Sequence, residues 1–391
     1  MPSYFVSRLS SRIQEVTVMR KIRHSYPALL IFTILASAFA ASAQTAKPTP
    51  PIPDDDGEVI KVDSRLIVVP VSVTDANGEP VLGLTAKDFR LSEENRNQVI
   101  DNVGGAEVVP LDIAVLFDVS ASTDTMFRFE QETAAAFLRD VMKENDRASI
   151  FTVGQKPMMI QPRDTAERSI ASILSIFPQK GATAYFDTVR AATTYLNDNA
   201  PAGRRRVIVV ISDGDDNFSV GLQKVQRATE RKIVDGSPDV DLKKLGSLVL
   251  QSQQAAKVSE RAKVLKGLQD ADTVHYSINP GGSSYLLNKM SVFGQENLQL
   301  FADATGGTAF LPKFSPVDLK DKLQNDTNTR KNKELLVRIF RQLTNELRSQ
   351  YLVQYYSDAT YPVNKFVKLE VGLEAKPAAK IRARQGYYVT N

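Results

Sequence analysis

The sequence predicts a doubly wound α/β domain with a mostly parallel sheet, inserted into a small β-sandwich. From Leu111 to about residue 348, apolar runs of strand length alternate with helical patterns, as a parallel sheet covered by helices on both faces requires. On either side, the segments 58–107 and 349–391 alternate apolar and polar residues with the period of a strand. Each flank alone would make a marginal sheet, so we expect the two to pack together. Independent flanking modules are the alternative.

The α/β region, 108–348, begins with the apolar run 111–118. Helical spacing of apolar residues predicts the segments between the strands. The stretch 222–269 is predicted to form two helices interrupted at 235–238, because Gly and Pro there disfavour a continuous helix. Its charged face is either solvated or frames a partner groove. The other predicted elements are strands 111–118, 148–153, 206–212, 273–279 and 307–312, and helices 125–143, 164–176, 184–197, 294–304 and 327–348.

The two flanks are predicted from alternation and turn residues. Residues 67–73 have the period of a strand, and Asn77-Gly78 is a strong turn signal. A second hairpin is predicted in 88–103, with its turn at 94–97. The candidate strands of the C-terminal flank are 349–358, 365–374 and 379–390.

Residues 1–43 have the layout of a secretory signal peptide. A basic segment with Arg20, Lys21 and Arg23 precedes an apolar stretch at 28–40 and the small residues 41–43. The apolar stretch is shorter than the roughly 20 residues of a membrane span. We therefore expect cleavage before Gln44, export to the periplasm or beyond the cell, and no stable membrane span afterwards; an uncleaved anchor is the alternative. The proline-rich and acidic residues 44–57 are predicted to form a disordered linker.

Charge and composition argue against several classes of function. Residues 1–43 carry 5 of the 49 Lys and Arg residues and 1 of the 45 Asp and Glu residues, so their removal leaves 44 of each and no net charge. This balance provides no basic surface for nucleic acid or an anionic membrane. The chain has no cysteine, and His275 is the one histidine after residue 43. A thiolate nucleophile and a Cys/His zinc site are therefore excluded, and His275, within an apolar run, is expected to lie in the core.

Oxygen-bearing side chains follow three predicted elements at one edge of the sheet. Asp118 ends the first strand, Ser120 and Ser122 follow it, Asp213 follows the strand 206–212, and Thr183 lies in a small-residue loop before a helix. In open α/β sheets, ligands bind beyond the carboxyl ends of the strands. Two carboxylates and three hydroxyls form an all-oxygen set that suits a hard divalent cation such as Mg²⁺. Each residue alone could instead cap a helix or stabilise a turn.

The segments 118–122 (DVSAS), 181–183 (GAT) and 212–214 (SDG) resemble the metal-ion-dependent adhesion site of the von Willebrand factor type A family, in that family's order. The resemblance covers about 108–315, and the flanks are similar to those of uncharacterised bacterial exported proteins with this domain. Ser212 stands where many relatives have threonine, and Ala182 replaces a common glycine, but neither change removes a ligand oxygen. The metal ligands that this resemblance implies are Asp118, Ser120, Ser122, Thr183 and Asp213.

The resemblance implies an exported, non-enzymatic binding protein whose Mg²⁺ captures an Asp or Glu side chain of a protein partner; Mn²⁺ and Ca²⁺ are also compatible. In the family, the two serines bind the ion directly, the threonine does so in the partner-bound state, and the aspartates bind directly or through water. Metal-assisted hydrolysis is one alternative, although the sequence offers no general base beyond Asp118 and Asp213. A scaffold whose ion only stiffens the loops is another. Asp187 and Asp216 are either outer partners of the ligands or acids at helix N-termini.

Overall fold

A computed structural model of the chain describes residues 65–120, 124–179, 181–236, 242–280, 289–316, 320–374 and 379–389. The predicted signal peptide, the predicted linker and Ser122 lie outside the described residues. Among the described residues, no helix is both long enough and apolar enough to cross a membrane.

Fourteen strands and seven α-helices are found in the described residues. The strands are β1 (Arg65–Thr74), β2 (Phe89–Glu93), β3 (Arg96–Gln98), β4 (Ile100–Gly105), β5 (Leu111–Asp118), β6 (Arg147–Val153), β7 (Met158–Asp164), β8 (Arg205–Ile211), β9 (Thr273–Ile278), β10 (Ala309–Phe310), β11 (Tyr351–Ser357), β12 (Phe366–Leu373), β13 (Lys380–Ala383) and β14 (Gly386–Tyr388). The helices are α1 (Asp124–Val141), α2 (Ala166–Leu174), α3 (Tyr185–Asn199), α4 (Val220–Gly236), α5 (Leu242–Asp270), α6 (Lys289–Thr305) and α7 (Lys322–Arg348).

The central sheet has the strand order β10-β9-β8-β5-β6-β7 and is parallel except for β7. Alternate residues of β5 contribute to two different cores, because successive side chains of a strand point to opposite faces. Ile113 and Val115 pack with α1, α2 and α7, whereas Ala114 and Leu116 pack with α3, α5 and α6. This two-sided burial explains why the run is wholly apolar, and it confirms the predicted doubly wound α/β fold.

Two four-stranded antiparallel sheets flank the α/β region, with the orders β13-β1-β11-β4 and β14-β12-β2-β3. Strands from the two ends of the chain pair directly: β1 with β11, and β2 with β12. Both sheets contribute to one apolar core that includes Val69, Leu91, Val353 and Leu369. The pairing confirms the predicted β-sandwich and excludes independent flanking modules, while the exact domain boundaries stay a prediction.

Three elements differ from the prediction. The second arm of the hairpin predicted in 88–103 is divided into β3, which pairs with β2, and β4, which belongs to the other sheet of the sandwich. The helix predicted at 164–176 is preceded by a strand that the sequence analysis missed, β7, and α2 itself begins at Ala166. Because β7 is an edge strand with three exposed apolar residues at its start, Met158 to Ile160, it lacks a clear alternation. The single strand predicted at 379–390 is divided into β13 and β14, which belong to different sheets. Between them, the Gln385 amide donates to the Ala304 carbonyl at the end of α6, which interrupts the strand.

Candidate metal centre

The apolar strand β5 ends in a carboxylate that is held by three hydrogen bonds. Asp118 Oδ1 accepts from the Ser120 amide at 2.9 Å and from Ser120 Oγ at 2.6 Å. Asp118 Oδ2 accepts from Ser212 Oγ at 2.6 Å. The hydroxyls after the strand therefore orient the Asp118 carboxylate at the edge of the sheet.

The second loop follows β8, the neighbour of β5. Ser212 is fully buried, and its Oγ also accepts from the Gly214 amide at 3.1 Å, while Asp213 Oδ1 accepts from the Asp215 amide at 3.0 Å. Gly214 has a φ of +76°, and a Cβ at this position would lie 2.5 Å from the Gly294 carbonyl oxygen in α6. Glycine is required here because the backbone is left-handed and α6 leaves no room for a side chain.

The third loop carries Thr183, which is buried. Its amide donates to Asn217 Oδ1 at 2.8 Å, and its carbonyl accepts from the amides of Asn217 and Phe218. The Ala184 amide donates to the Gly154 carbonyl at 2.7 Å, which joins this loop to the end of β6. The loop is therefore held between the loops that follow β6 and β8.

The structure thus places Asp118, Ser120, Thr183 and Asp213 in loops at the same edge of the sheet. Among the described residues, the Thr183 hydroxyl and Asp213 Oδ2 make no hydrogen bond, so both oxygens are available as ligands. Within the described part of the chain, no group of three or more His, Cys, Asp or Glu side chains could hold a metal ion. A cation at this edge would therefore need hydroxyl ligands as well as carboxylates.

The pKa values of both aspartates are raised above the ordinary value for an aspartate. Burial raises the pKa of Asp118, against the opposing effect of the hydrogen bonds from Ser120 and Ser212. The pKa of Asp213 is also raised, chiefly because the surrounding protein removes water, and further by the charge of Asp118. The Asp213 residue nevertheless remains exposed on its outer side. Two carboxylates with raised pKa values beside open hydroxyl oxygens fit a hard divalent cation, whose charge would stabilise their ionised forms.

The family comparison concerns this same part of the chain. Residues 113–215 match the model of the von Willebrand factor type A domain. The match begins within β5 and ends just after Asp213, so it contains all three loops. Residues 113–215 thus belong to a von Willebrand factor type A domain. The α/β region that contains them, from β5 to α7, is called the A domain below. Domains of this family are generally interaction modules rather than enzymes. No curated protein is significantly similar in sequence.

Several solved structures are similar to the chain at low identity. Proximal thread matrix protein 1 from the mussel byssus is 11% identical over 65% of this chain and 50% of its own, with a TM-score of 0.39. Thus the match spans about half of the mussel protein, which has also been solved with a zinc-occupied MIDAS motif. A von Willebrand factor type A protein from Catenulispora acidiphila is 9% identical over 83% and 74% of the two chains, with a TM-score of 0.39. BatB from Bacteroides thetaiotaomicron is 12% identical over 57% and 97%, with a TM-score of 0.31. At these identities and TM-scores, the solved structures support no conclusion about this chain beyond the family match.

Two further acids of the A domain stabilise helix N-termini. Asp216 accepts from the Phe186 amide at the start of α3 at 2.7 Å, and from the Ser219 amide at 3.0 Å. Asp187, in the first turn of α3, accepts from the Val220 amide at the start of α4 at 2.8 Å. Each carboxylate thus satisfies amides that a helix leaves unpaired. Of the two interpretations left open by the sequence, the described contacts agree with acids at helix N-termini.

Three residues that contact the loops of the candidate metal centre had no predicted role: Ser212, Asn217 and Lys257. Lys257 lies in α5, and its Nζ donates to Asp215 Oδ1 at 2.9 Å, so the 222–269 region reaches the loop that carries Asp213. No local pattern could have identified Lys257, because its partner lies 42 residues away in the chain. The available signal for Ser212 was its position directly before Asp213 in the segment 212–214.

His275 lies in the core of the A domain, as expected. It is fully buried, its Nε2 lies 3.2 Å from the Tyr185 hydroxyl, and its ring packs edge-on against Phe301. Burial lowers the pKa of His275 to about 3, so the imidazole is neutral near pH 7. The contacts of His275 in the described part of the chain are with core residues and not with a proposed metal ligand.

Proposed function

We propose that the A domain binds one Mg²⁺ ion, and that this ion captures an Asp or Glu side chain of a protein partner. The observation that carries the proposal is the pair of carboxylates, Asp118 and Asp213, beside the hydroxyl of Ser120 at the edge of the sheet. The proposed ligand set is Asp118, Ser120, Ser122, Thr183 and Asp213, with Ser122 assigned from the family motif alone.

The ligand set explains why the ion should prefer an outside carboxylate. Three of the five proposed ligands are neutral hydroxyls, which would leave the ion electron-poor, and five ligands are one fewer than Mg²⁺ prefers, so one position is left to water or to a partner. When bound, the ion supplies an electrophilic position for the partner's carboxylate. The chain's own residues orient that position: Ser212 and Ser120 hold Asp118, and Asn217 holds the backbone of Thr183. Oxygen-only ligands favour Mg²⁺ over zinc, while Mn²⁺ and Ca²⁺ remain compatible.

The proposed protein is an exported binding module and not an enzyme. Export rests on the signal-peptide layout of residues 1–43. A hydrolase would need a general base near the ion, and the two acids there are both proposed as ligands. The partner is a protein, because the chain without residues 1–43 has no net charge with which to attract nucleic acid or an anionic membrane.

Replacement of one ligand tests the proposal. We expect Asp118→Ala to weaken Mg²⁺ binding at least tenfold in calorimetry, because it removes a charged ligand, and to leave the circular dichroism spectrum unchanged. The matched control is Asp140→Ala, which removes an exposed carboxylate of α1 outside the site. It should bind Mg²⁺ as the wild type does.

Partner capture from the native cell envelope completes the test. The proposal predicts capture by the wild type and by Asp140→Ala in Mg²⁺, and none in EDTA or by Asp118→Ala. Capture that persists in EDTA would contradict it. Turnover of phosphate esters or peptides with Mg²⁺ would favour a hydrolase. Mg²⁺ binding that raises the melting temperature without any association would favour the scaffold.

A further inference from the structure

A cleft of about 520 Å³ adjoins the candidate metal centre. Ser120 and Ala182 line its metal side, where Ala182 directly precedes Thr183. Gln155 and Lys156, from the turn between β6 and β7, also line the cleft, as do Met158 at the start of β7 and Phe218. The volume is typical of clefts that hold a ligand, roughly 300–1,000 Å³. A ligand group on the metal therefore has space beside it for more of the same molecule.

Backbone hydrogen bonds hold the walls of this cleft. The Val119 amide donates to the Val153 carbonyl at 3.1 Å, and the Gln179 amide donates to the Val119 carbonyl at 2.7 Å. The Ala184 amide donates to Gly154 in the same way. Since these bonds join the loops that line the cleft, its shape exists before a partner arrives, which lowers the entropy cost of binding.

The cleft carries a charge opposite to that of the metal ligands. Lys156 is exposed and is the basic residue among its described lining residues. No ion pair of Lys156 is found among the described residues, whereas Lys257, on α5, is paired with Asp215. The Lys156 ammonium is therefore available to a partner, and the nearby side chains of Met158 and Phe218 add apolar surface.

We infer that the partner segment is an extended peptide with two carboxylates, one bound to the metal and a second paired with Lys156. This inference rests on the proposed function and specifies the partner of the same site. An extended chain advances about 3.3 Å per residue, so two acids three residues apart are separated by about 10 Å along the peptide. We infer a spacing of two or three residues between the two acids, with an apolar residue between them beside the apolar lining of the cleft.

Synthetic peptides test the inference with the full exported chain in Mg²⁺. One probe is an acetylated and amidated octapeptide with a single Asp; the other has a second Asp three residues further on. We expect calorimetry to show about threefold tighter binding of the diacidic probe, the size of effect typical of an exposed ion pair. In Lys156→Ala the two probes should bind equally, and binding of the single-Asp probe should be unchanged. Lys87→Ala, which removes an exposed lysine of the β-sandwich, should behave as the wild type.

Carbodiimide cross-linking gives a second readout, because it joins an amine to a carboxylate in direct contact. With the diacidic probe, mass spectrometry should identify the cross-link at Lys156 and not at Lys87. Equal, Mg²⁺-dependent binding of both probes would overturn the inference and leave the proposed function intact. Preference for the diacidic probe that persists in EDTA would also overturn it, since the cleft would then act without the metal. Absence of binding by both probes rejects the inference, and Mg²⁺ calorimetry without peptide then decides whether the metal site itself stands.

Discussion

At the residue scale, the hydroxyl of Ser212 joins the ends of two neighbouring strands. It donates to Asp118 Oδ2 and accepts from the Gly214 amide, so one buried side chain orients a proposed ligand and the loop that carries Asp213. Asp118 also receives two bonds from Ser120. Outer hydrogen bonds of this kind set the direction of ligand oxygens and commonly change metal affinity 10- to 100-fold.

Ser212→Ala should therefore weaken Mg²⁺ binding about tenfold, as measured by calorimetry, without unfolding the domain. Ser212→Thr, which retains the hydroxyl, should restore most of the affinity. The matched control is Ser149→Ala, since Ser149 is equally buried in β6 but its hydroxyl has no hydrogen-bond partner among the described residues. If all three variants bind Mg²⁺ alike, Ser212 does not orient Asp118 for a metal.

His275 makes the stability depend on pH. Its pKa is lowered from 6.5 to about 3 by burial, so between these values the unfolded chain binds a proton that the folded chain does not. The folded state thus keeps its full stability above pH 6.5 and loses it as the pH falls, by up to about 1.4 kcal/mol per pH unit from this group. In His275→Phe, urea unfolding between pH 7.5 and 5 should show a shallower pH dependence. The lost contact with Tyr185 lowers the stability of the variant equally at both pH values. Parallel curves for the two proteins would refute the assignment.

At the element scale, α6 packs so closely on the loop after β8 that two glycines face each other. A Cβ at Gly294 would lie 2.7 Å from the Asp213 carbonyl oxygen and 2.8 Å from the Asp215 amide nitrogen. Asn297, one turn further along, donates to the Gly214 carbonyl at 3.0 Å. The helix therefore determines where the backbone of Asp213 lies.

Gly294→Ala should displace the loop and weaken Mg²⁺ binding about tenfold, although alanine favours a helix by about 1 kcal/mol over glycine. Calorimetry with Mg²⁺ measures the effect. Gly267→Ala is the matched control, because Gly267 also lies within a helix but has open space at its Cβ position. That control should raise the melting temperature and leave Mg²⁺ binding unchanged. Wild-type affinity in Gly294→Ala would show that α6 does not determine the position of Asp213.

At the scale of the whole molecule, Gln350 joins the A domain to the β-sandwich. It is 1% exposed; its Nε2 donates to Ser72 Oγ in β1 at 3.0 Å and to the Tyr276 hydroxyl in β9 at 2.8 Å. Its Oε1 accepts from Arg205 at the start of β8, and its carbonyl accepts from the Ala106 amide. One side chain thus satisfies polar groups from the central sheet and from the first strand of the sandwich.

Gln350→Leu should lower the free energy of unfolding by roughly 1–3 kcal/mol or more, because it leaves buried polar groups without partners. Calorimetric unfolding should show one transition in the wild type and separate transitions, or one at lower temperature, in the variant. The control, Gln354→Leu, changes a partly exposed residue of β11, the strand that begins directly after Gln350. An unchanged melting temperature in Gln350→Leu would mean that the two parts are joined by other contacts.

Apolar runs separated by helical patterns, together with the strand period of the two flanks, were enough to predict the fold class of this protein. The apolar runs 111–118 and 206–212 led to parallel strands, and the alternation in both flanks led to the sandwich, because the period of burial is a local property of each element. Family motifs likewise led to the five proposed ligands. The edge strand β7 escaped detection, since its exposed residues follow no such period.

The hydrogen bonds between residues far apart in the chain became visible in the folded structure alone. The bond from Ser212 to Asp118 spans 94 residues, that from Lys257 to Asp215 spans 42, and Gln350 reaches Ser72 across 278. Such contacts depend on the register of paired strands and on how closely α6 approaches the sheet. A local pattern of residues carries no information about either, because both arise when distant segments compete for the same buried space.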